Sequence, residues 1–238
     1  MMRREKIIYS IFLVAVIVLA WTVANFYVMN NNQNIFLVQE QAKVLASFAL
    51  TMETQTRNLV NSFSRYYDYI ESDVNWPNMT EDTLGKLEYR SWILLSYEAD
   101  SARYVIQTDS FYLMGFDLNH VGNSSAFVNV YLNVSETVNY AVNQLDWATG
   151  GRLLSEHQRL MFELCHILGA DRNATANTTQ LTGISQTFSR ISSLCWNSAN
   201  QNQPKQPVID AELAWALGNT TQLYQNLVTW HNSNPLTP

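Results

Sequence analysis

Glycine and proline are scarce in this chain, at 8 and 5 of 238 residues. An all-β sandwich or barrel needs turn residues every 8–12 positions, so that class is excluded and long helices are expected. Charged side chains make up only 14% of residues and are missing altogether from Ile7 to Met29. Cysteine occurs twice, too seldom for a disulfide-built scaffold. The sequence carries no glycine-rich phosphate loop, no nucleophile elbow and no His-Glu-x-x-His helix. No motif argues for an enzyme, and none points to a cofactor or a metal.

The uncharged run is what the sequence has instead. Arg3, Arg4 and Lys6 precede 23 residues, Ile7 to Met29, without a formal charge. As a helix they would extend about 35 Å, enough for a bilayer core with some tilt. The expectation is a cytoplasmic stub over residues 1–6, a signal-anchor span over 7–29 and an extracytoplasmic domain over 30–238, with the basic residues inside. Trp21, Tyr27 and the amides of Asn30 to Asn34 suit the outer interface. A cleaved secretory signal is the alternative, with Thr22-Val-Ala24 as its weak cleavage site, but the run is longer than an ordinary signal core. A type IV pilin is disfavoured, since no glycine precedes the run and no glutamate lies five residues into it.

Hydrophobic residues are 47% of the whole, a globular proportion. The first six residues hold three bases and one acid, leaving 11 basic and 19 acidic side chains beyond them, a charge of −8. Such a surface repels phosphate backbones, so nucleic acid is not an expected partner.

The apolar periodicity then sets the fold. Val38, Ala42, Leu45, Ala49, Met52, Thr56, Leu59, Phe63, Tyr66 and Ile70 alternate steps of four and three, a narrow heptad stripe for one neighbour. Asp73 to Pro77 should end that rod. No proline or glycine separates it from the span, so span and rod are expected to be one nearly continuous helix, with Ile35, Phe36 and Leu37 as an apolar collar. A second helix, capped by Thr80, should run to about Gln107 with Trp92, Leu95, Ala99, Ala102 and Ile106 inward. Phe127, Tyr131, Val134, Val138, Ala141, Leu145 and Ala148 mark a third, ending at Gly150. A fourth covers Arg152 to Leu168, with Gly169 as its C′ residue. Leu181, Ile184, Phe188, Ile191 and Cys195 mark a fifth; Ile209, Leu213, Ala216, Thr220, Leu223, Leu227 and Trp230 a sixth. The fold class expected is all-α, an antiparallel bundle of about six helices with a long first helix.

Candidate sites are few. Glu163-Leu-Cys-His166 matches half of a helical di-iron motif, and Asp117-Leu-Asn-His120 is the nearest second copy, in an expected loop. Cys165 and Cys195 are either a disulfide or two buried thiols. In a simple hairpin of the fourth and fifth helices their sulfurs would lie about 18 Å out of level, so a bridge needs one helix shifted along the other. Six sequons, at Asn78, Asn123, Asn133, Asn173, Asn177 and Asn219, are candidate N-glycosylation sites. The function expected is a non-enzymatic, membrane-anchored helical domain that binds a protein partner, builds a homo-oligomer or joins a cell-envelope assembly. The alternative is a sensor-like bundle with a small ligand between its helices.

Overall fold

Helices form wherever the heptad stripes run. The computed structural model describes the backbone of residues 2–74, 81–116, 118, 124–149, 154–171, 179–201 and 206–235; side chains are described over 15–71, 90–116, 118, 124–148, 156–171, 179–199 and 207–235. The elements are α1 (Met2–Val74), α2 (Glu81–Gly115), α3 (Ser124–Thr149), α4 (Leu154–Leu168), α5 (Leu181–Gln201) and α6 (Gln206–Ser233). No strand occurs among the described residues.

α1 is 73 residues long, about 110 Å at 1.5 Å per residue. It passes through Asn30 to Asn34 without a break, as the absence of proline and glycine predicts. Its heptad stripe is the spine of the core. Ala42, Leu45, Ala49, Met52, Thr56, Leu59, Phe63, Tyr66 and Ile70 are all buried, and only Val38 at the lower end is half-buried. The stripes of α3, α5 and α6 are buried in full, as are Leu95, Ala99, Ala102 and Ile106 of α2.

Packing closes a ring in which α1 touches α2, α2 touches α3, α3 touches α6, α6 touches α5 and α5 returns to α1. Two hydroxyls fix the last seam. Ser185 donates to Glu53 O at 3.1 Å, and Ser192 to Ala46 O at 2.9 Å. A serine reaches a neighbouring helix's carbonyl only where the backbones come close, and Ala42, Ala46 and Ala49 leave that room. The interior between α1, α3 and α5 is filled by Phe127, Tyr131 and Phe188, whose rings meet at 6.1–6.4 Å, with Phe48 edge-on to Tyr131 at 6.0 Å.

The arrangement departs from an antiparallel bundle in two places. α3 and α6 lie side by side in the same direction, because Tyr140 meets Tyr224 and, two turns on, Trp147 meets Trp230. α4 and α5 do not form a hairpin. α4 crosses the end of α1 obliquely: His157 to Cys165 covers eight residues of α4 but only Tyr66 to Phe63 of α1. α5 then starts below that level and runs back along α1. α2 also exceeds its expected end at Gln107 by two turns, since Leu113 is buried and Ser110 bonds back to Ile106 O.

α4 ends at Gly169, the described glycine whose φ is positive, +76°. Ala170 N–H donates to Cys165 O and Gly169 N–H to His166 O, which satisfies the last carbonyls of the helix. A Cβ at Gly169 would lie 2.6 Å from Gln180 Oε1 and 2.9 Å from Gln180 Cβ.

Two mutational outcomes follow. Leu59→Asp, Phe63→Asp and Val138→Asp each put an unpaired charge in the core and should unfold the bundle, at a cost of several kcal/mol, whereas the exposed Glu136→Gln should be silent; wild-type melting of the three core variants would contradict the packing. Gly169→Ala should destabilise by about 1–3 kcal/mol through backbone strain and the Gln180 clash. Gly218→Ala, in open space on α6, should stabilise by about 0.5–1 kcal/mol. Denaturant titration of the pair checks the sign of each.

Candidate functional site

The titratable side chains collect where α4 crosses the far end of the bundle. Tyr66 Oη and His157 Nε2 lie 2.7 Å apart and buried. Burial pushes the His157 pKa below its ordinary 6.5, partly offset by a hydrogen bond to the Ala148 backbone. Glu163 accepts from Arg159 at 2.6 Å and from Trp230 Nε1 at 2.8 Å. His231 Nδ1 meets Gln144 Oε1 at 2.6 Å, and its ring lies 4.4 Å from that of Trp147. These bonds tie α4 to α1 and α6, and α6 to α3. Most of these groups are spent on a neighbouring helix, so the cluster works as a fastening between α1, α3, α4 and α6.

The half di-iron motif falls apart in this setting. Glu163 turns to Trp230, while His166 pairs with Asp171 at 2.9 Å. Asp117 and His120 lie outside the described residues. Among the described residues no group of three or more His, Cys, Asp or Glu is placed to hold a metal ion.

A polar groove of about 600 Å³ opens between α1 and α2, with Gln55, Asn58, Asn61, Ser64, Tyr97 and Ser101 on its walls. Arg65 Nη2 bridges it to Glu98 Oε2 at 2.6 Å. Ser62 Oγ lies 2.6 Å from the same oxygen and 2.9 Å from Asn58 O. Among the described residues no histidine lines the groove beside Ser62. Amides and hydroxyls in an open trough suit contact with a polar surface or an extended chain.

Beside the groove stands the outer face of α2. Leu94, Tyr97, Ser101, Tyr104, Thr108 and Phe111 alternate steps of three and four, opposite the buried Leu95, Ala99, Ala102 and Ile106. Tyr97, Tyr104 and Phe111 are 75%, 70% and 73% exposed. Apart from Tyr97 and Ser101, which edge the α1–α2 groove, this second heptad meets no other helix among the described residues. In the sequence the inward stripe of α2 accounts for the periodicity, and the expected helix end at Gln107 lies four residues short of Phe111, which hides this outer face. Its signal, aromatic residues every seven positions at 97, 104 and 111, was present.

The structure does not bring Cys165 and Cys195 together; both are buried free thiols. Cys165 Sγ lies 3.6 Å from Phe63 O. By the register of the two serine bonds, Cys195 stands level with residue 43 of α1, about 30 Å lower. The bridge needs α5 to double back along α4, and α5 instead runs on past α1. Burial keeps both thiols protonated, with the Cys195 pKa pushed up to about 12. Of the sequons, Asn78, Asn123, Asn173 and Asn177 lie outside the described residues. Asn133 and Asn219 are half-buried on helices. Asn133 Oδ1 is enclosed, and Asn219 Nδ2, the atom a glycan would occupy, donates to Trp215 O at 2.9 Å.

Compared with known proteins, the chain matches no family model, no curated protein and no solved structure. The functional reading therefore rests on its own surfaces.

His157 makes the distal fastening sensitive to acid. A histidine whose folded pKa is depressed contributes stability above its unfolded value of 6.5, and that stability is lost as pH falls through the folded pKa. Thermal stability should hold above pH 7 and decline below about 6.5. His157→Gln should be less stable at pH 7 but show a shallower decline; an unchanged slope would contradict the assignment.

Proposed function

We propose that the protein is a membrane-anchored, non-enzymatic helical domain displayed outside the cytoplasmic membrane, where it binds a protein partner or forms part of an envelope assembly. The observation that carries this reading is the lower half of α1. Val16 to Val18, Leu19, Trp21, Val23 and Phe26 to Met29 are 45–73% exposed, on every side of the helix. A helix apolar all round is stable only when surrounded, by protein or by lipid. Over the described residues no helix is long and apolar enough to cross a membrane. The first eight residues of the expected span, 7–14, are outside the described side chains, and with them the run from Ile7 to Met29 is uncharged.

The geometry of α1 adds to the reading. The lowest buried residue of its stripe is Ala42, 13 positions and about 20 Å beyond Met29. An anchored chain would thus hold its bundle clear of the head groups on a helical stalk, with Phe36 at 59% and Leu37 at 40% exposure along it. The open α1–α2 groove and the aromatic face of α2 supply surface for a macromolecule. The small-ligand reading asks for an enclosed cavity with converging polar groups, and the α1–α2 trough is open.

Proteolysis of intact cells tests the topology. With Arg3, Arg4 and Lys6 inside, external protease should degrade residues 30–238 and leave the N-terminal segment with the membrane. Protection of a C-terminal tag would contradict the orientation, and a mature mass beginning after Ala24 would replace the anchor by a cleaved signal.

A further inference from the structure

We propose that the outer face of α2 is a homodimer interface, at which two copies pair head to tail through α2 itself. The proposal rests on the partner-binding reading above and names the partner as a second copy of this chain.

The area is sufficient. A buried aromatic side chain contributes about 150–250 Å², and Tyr97, Tyr104, Phe111 and Tyr112 are each about two-thirds to three-quarters exposed. With Leu94, exposed at 63%, the face offers roughly 500–800 Å², against the ~800 Å² per partner of a standard interface.

The register decides the occupant. In heptad positions the face reads Leu94, Ser101 and Thr108 on one row and Tyr97, Tyr104 and Phe111 on the other. One row is mostly small and the other wholly aromatic. A parallel pair would stack ring on ring and hydroxyl on hydroxyl, alternating bulges with gaps. An antiparallel pair sets each row against the other: Tyr97 over Thr108 of the second copy, Tyr104 over its Ser101, and Leu94 against its Phe111. Each layer then holds one large and one smaller side chain, which interdigitate at uniform spacing. No charged residue lies in either row, so the excess of acid on each copy is not opposed across the contact.

Lipid is an unsuitable cover for this face. Phe116, just past the end of α2, packs on Phe48 at 5.8 Å, so the lower end of the face stands 19 residues, about 28 Å, along α1 from Met29. That is beyond the head-group layer, which adds only ~5–8 Å to each side of the hydrocarbon. Head-to-tail pairing sends the two α1 stalks out of opposite ends, so anchored copies meet across facing membranes.

Cysteine cross-linking of the full chain, purified in detergent, tests the pairing, with the two native thiols buried and silent. Protein carrying Ser101→Cys mixed with protein carrying Tyr104→Cys should give a disulfide dimer, and Tyr104→Cys alone should give about tenfold less. Tyr104→Arg should abolish the native dimer in light scattering while keeping the wild-type melting temperature. Vesicles carrying the full chain should cluster, and vesicles carrying Tyr104→Arg should not. A monomer at micromolar concentration overturns the pairing, and the intact-cell proteolysis result stands independently of it. A dimer cross-linked only between identical positions overturns the head-to-tail register, and dimers without vesicle clustering overturn the contact between facing membranes.

Discussion

The close seam between α1 and α5 sets the level of most of the bundle. Ser185 and Ser192 are seven residues apart, and so are the carbonyls they bond, at Glu53 and Ala46. Two bonds at matching intervals on antiparallel helices admit one register, and each is worth about 0.5–1.5 kcal/mol net. With α5 so placed, Phe188 falls between Phe127 and Tyr131 of α3. Arg190 reaches both carboxylate oxygens of Glu212 at 3.1 Å and lies 5.5 Å from the Trp215 ring, which holds α6 alongside. The seam works because the residues at the contact are alanine and serine, small enough for the backbones to approach.

Much of this was legible in the sequence, for a physical reason. A side chain that must be buried every 3.5 residues leaves a pattern that no surface constraint imitates. The positions of α1, α3, α5 and α6 picked out by that pattern are the positions the core encloses. Gly169 was legible as well, since only a residue without Cβ fits its φ beside Gln180. Direction and level were not legible. Heptads fix which face is inward and say nothing of which neighbour it meets, so the parallel pairing of α3 with α6 and the oblique crossing of α4 had no signature. The length of α2 was misjudged because Thr108, Asp109 and Ser110 have weak helix propensity. Packing overrides it, since Leu113 in the last turn is buried and Ser110 Oγ donates back to Ile106 O at 2.8 Å.

The sites were less legible than the fold. A bridge between Cys165 and Cys195 requires a hairpin of α4 and α5, and the chain makes no hairpin there. The Glu163-to-His166 spacing matched a metal motif, but in a folded bundle each of those residues found another partner first. Serines 185 and 192 passed unnoticed because serine is ordinarily a surface residue, and their use depends on a carbonyl 132 or 146 positions away. The outer face of α2 was visible as a second period on one helix. That no other described helix covers most of it is a fact of the packing, which the sequence does not carry.

α1 is the spine of the core and, in the proposed function, the stalk beneath it. Its uncharged run and its buried stripe are joined by Asn30 to Asn34, residues of modest helix propensity that compete for backbone hydrogen bonds. A break there would leave the bundle on a flexible tether, free to tilt and without a fixed height. Spin labels at Val28 and Leu37 span the junction and give the most direct measurement. A continuous helix places the labelled positions nine residues and about 13–14 Å apart along the axis, with a narrow distance distribution in the membrane-reconstituted full chain. A broad distribution would contradict the stalk, and with it the geometry on which the proposed function is built.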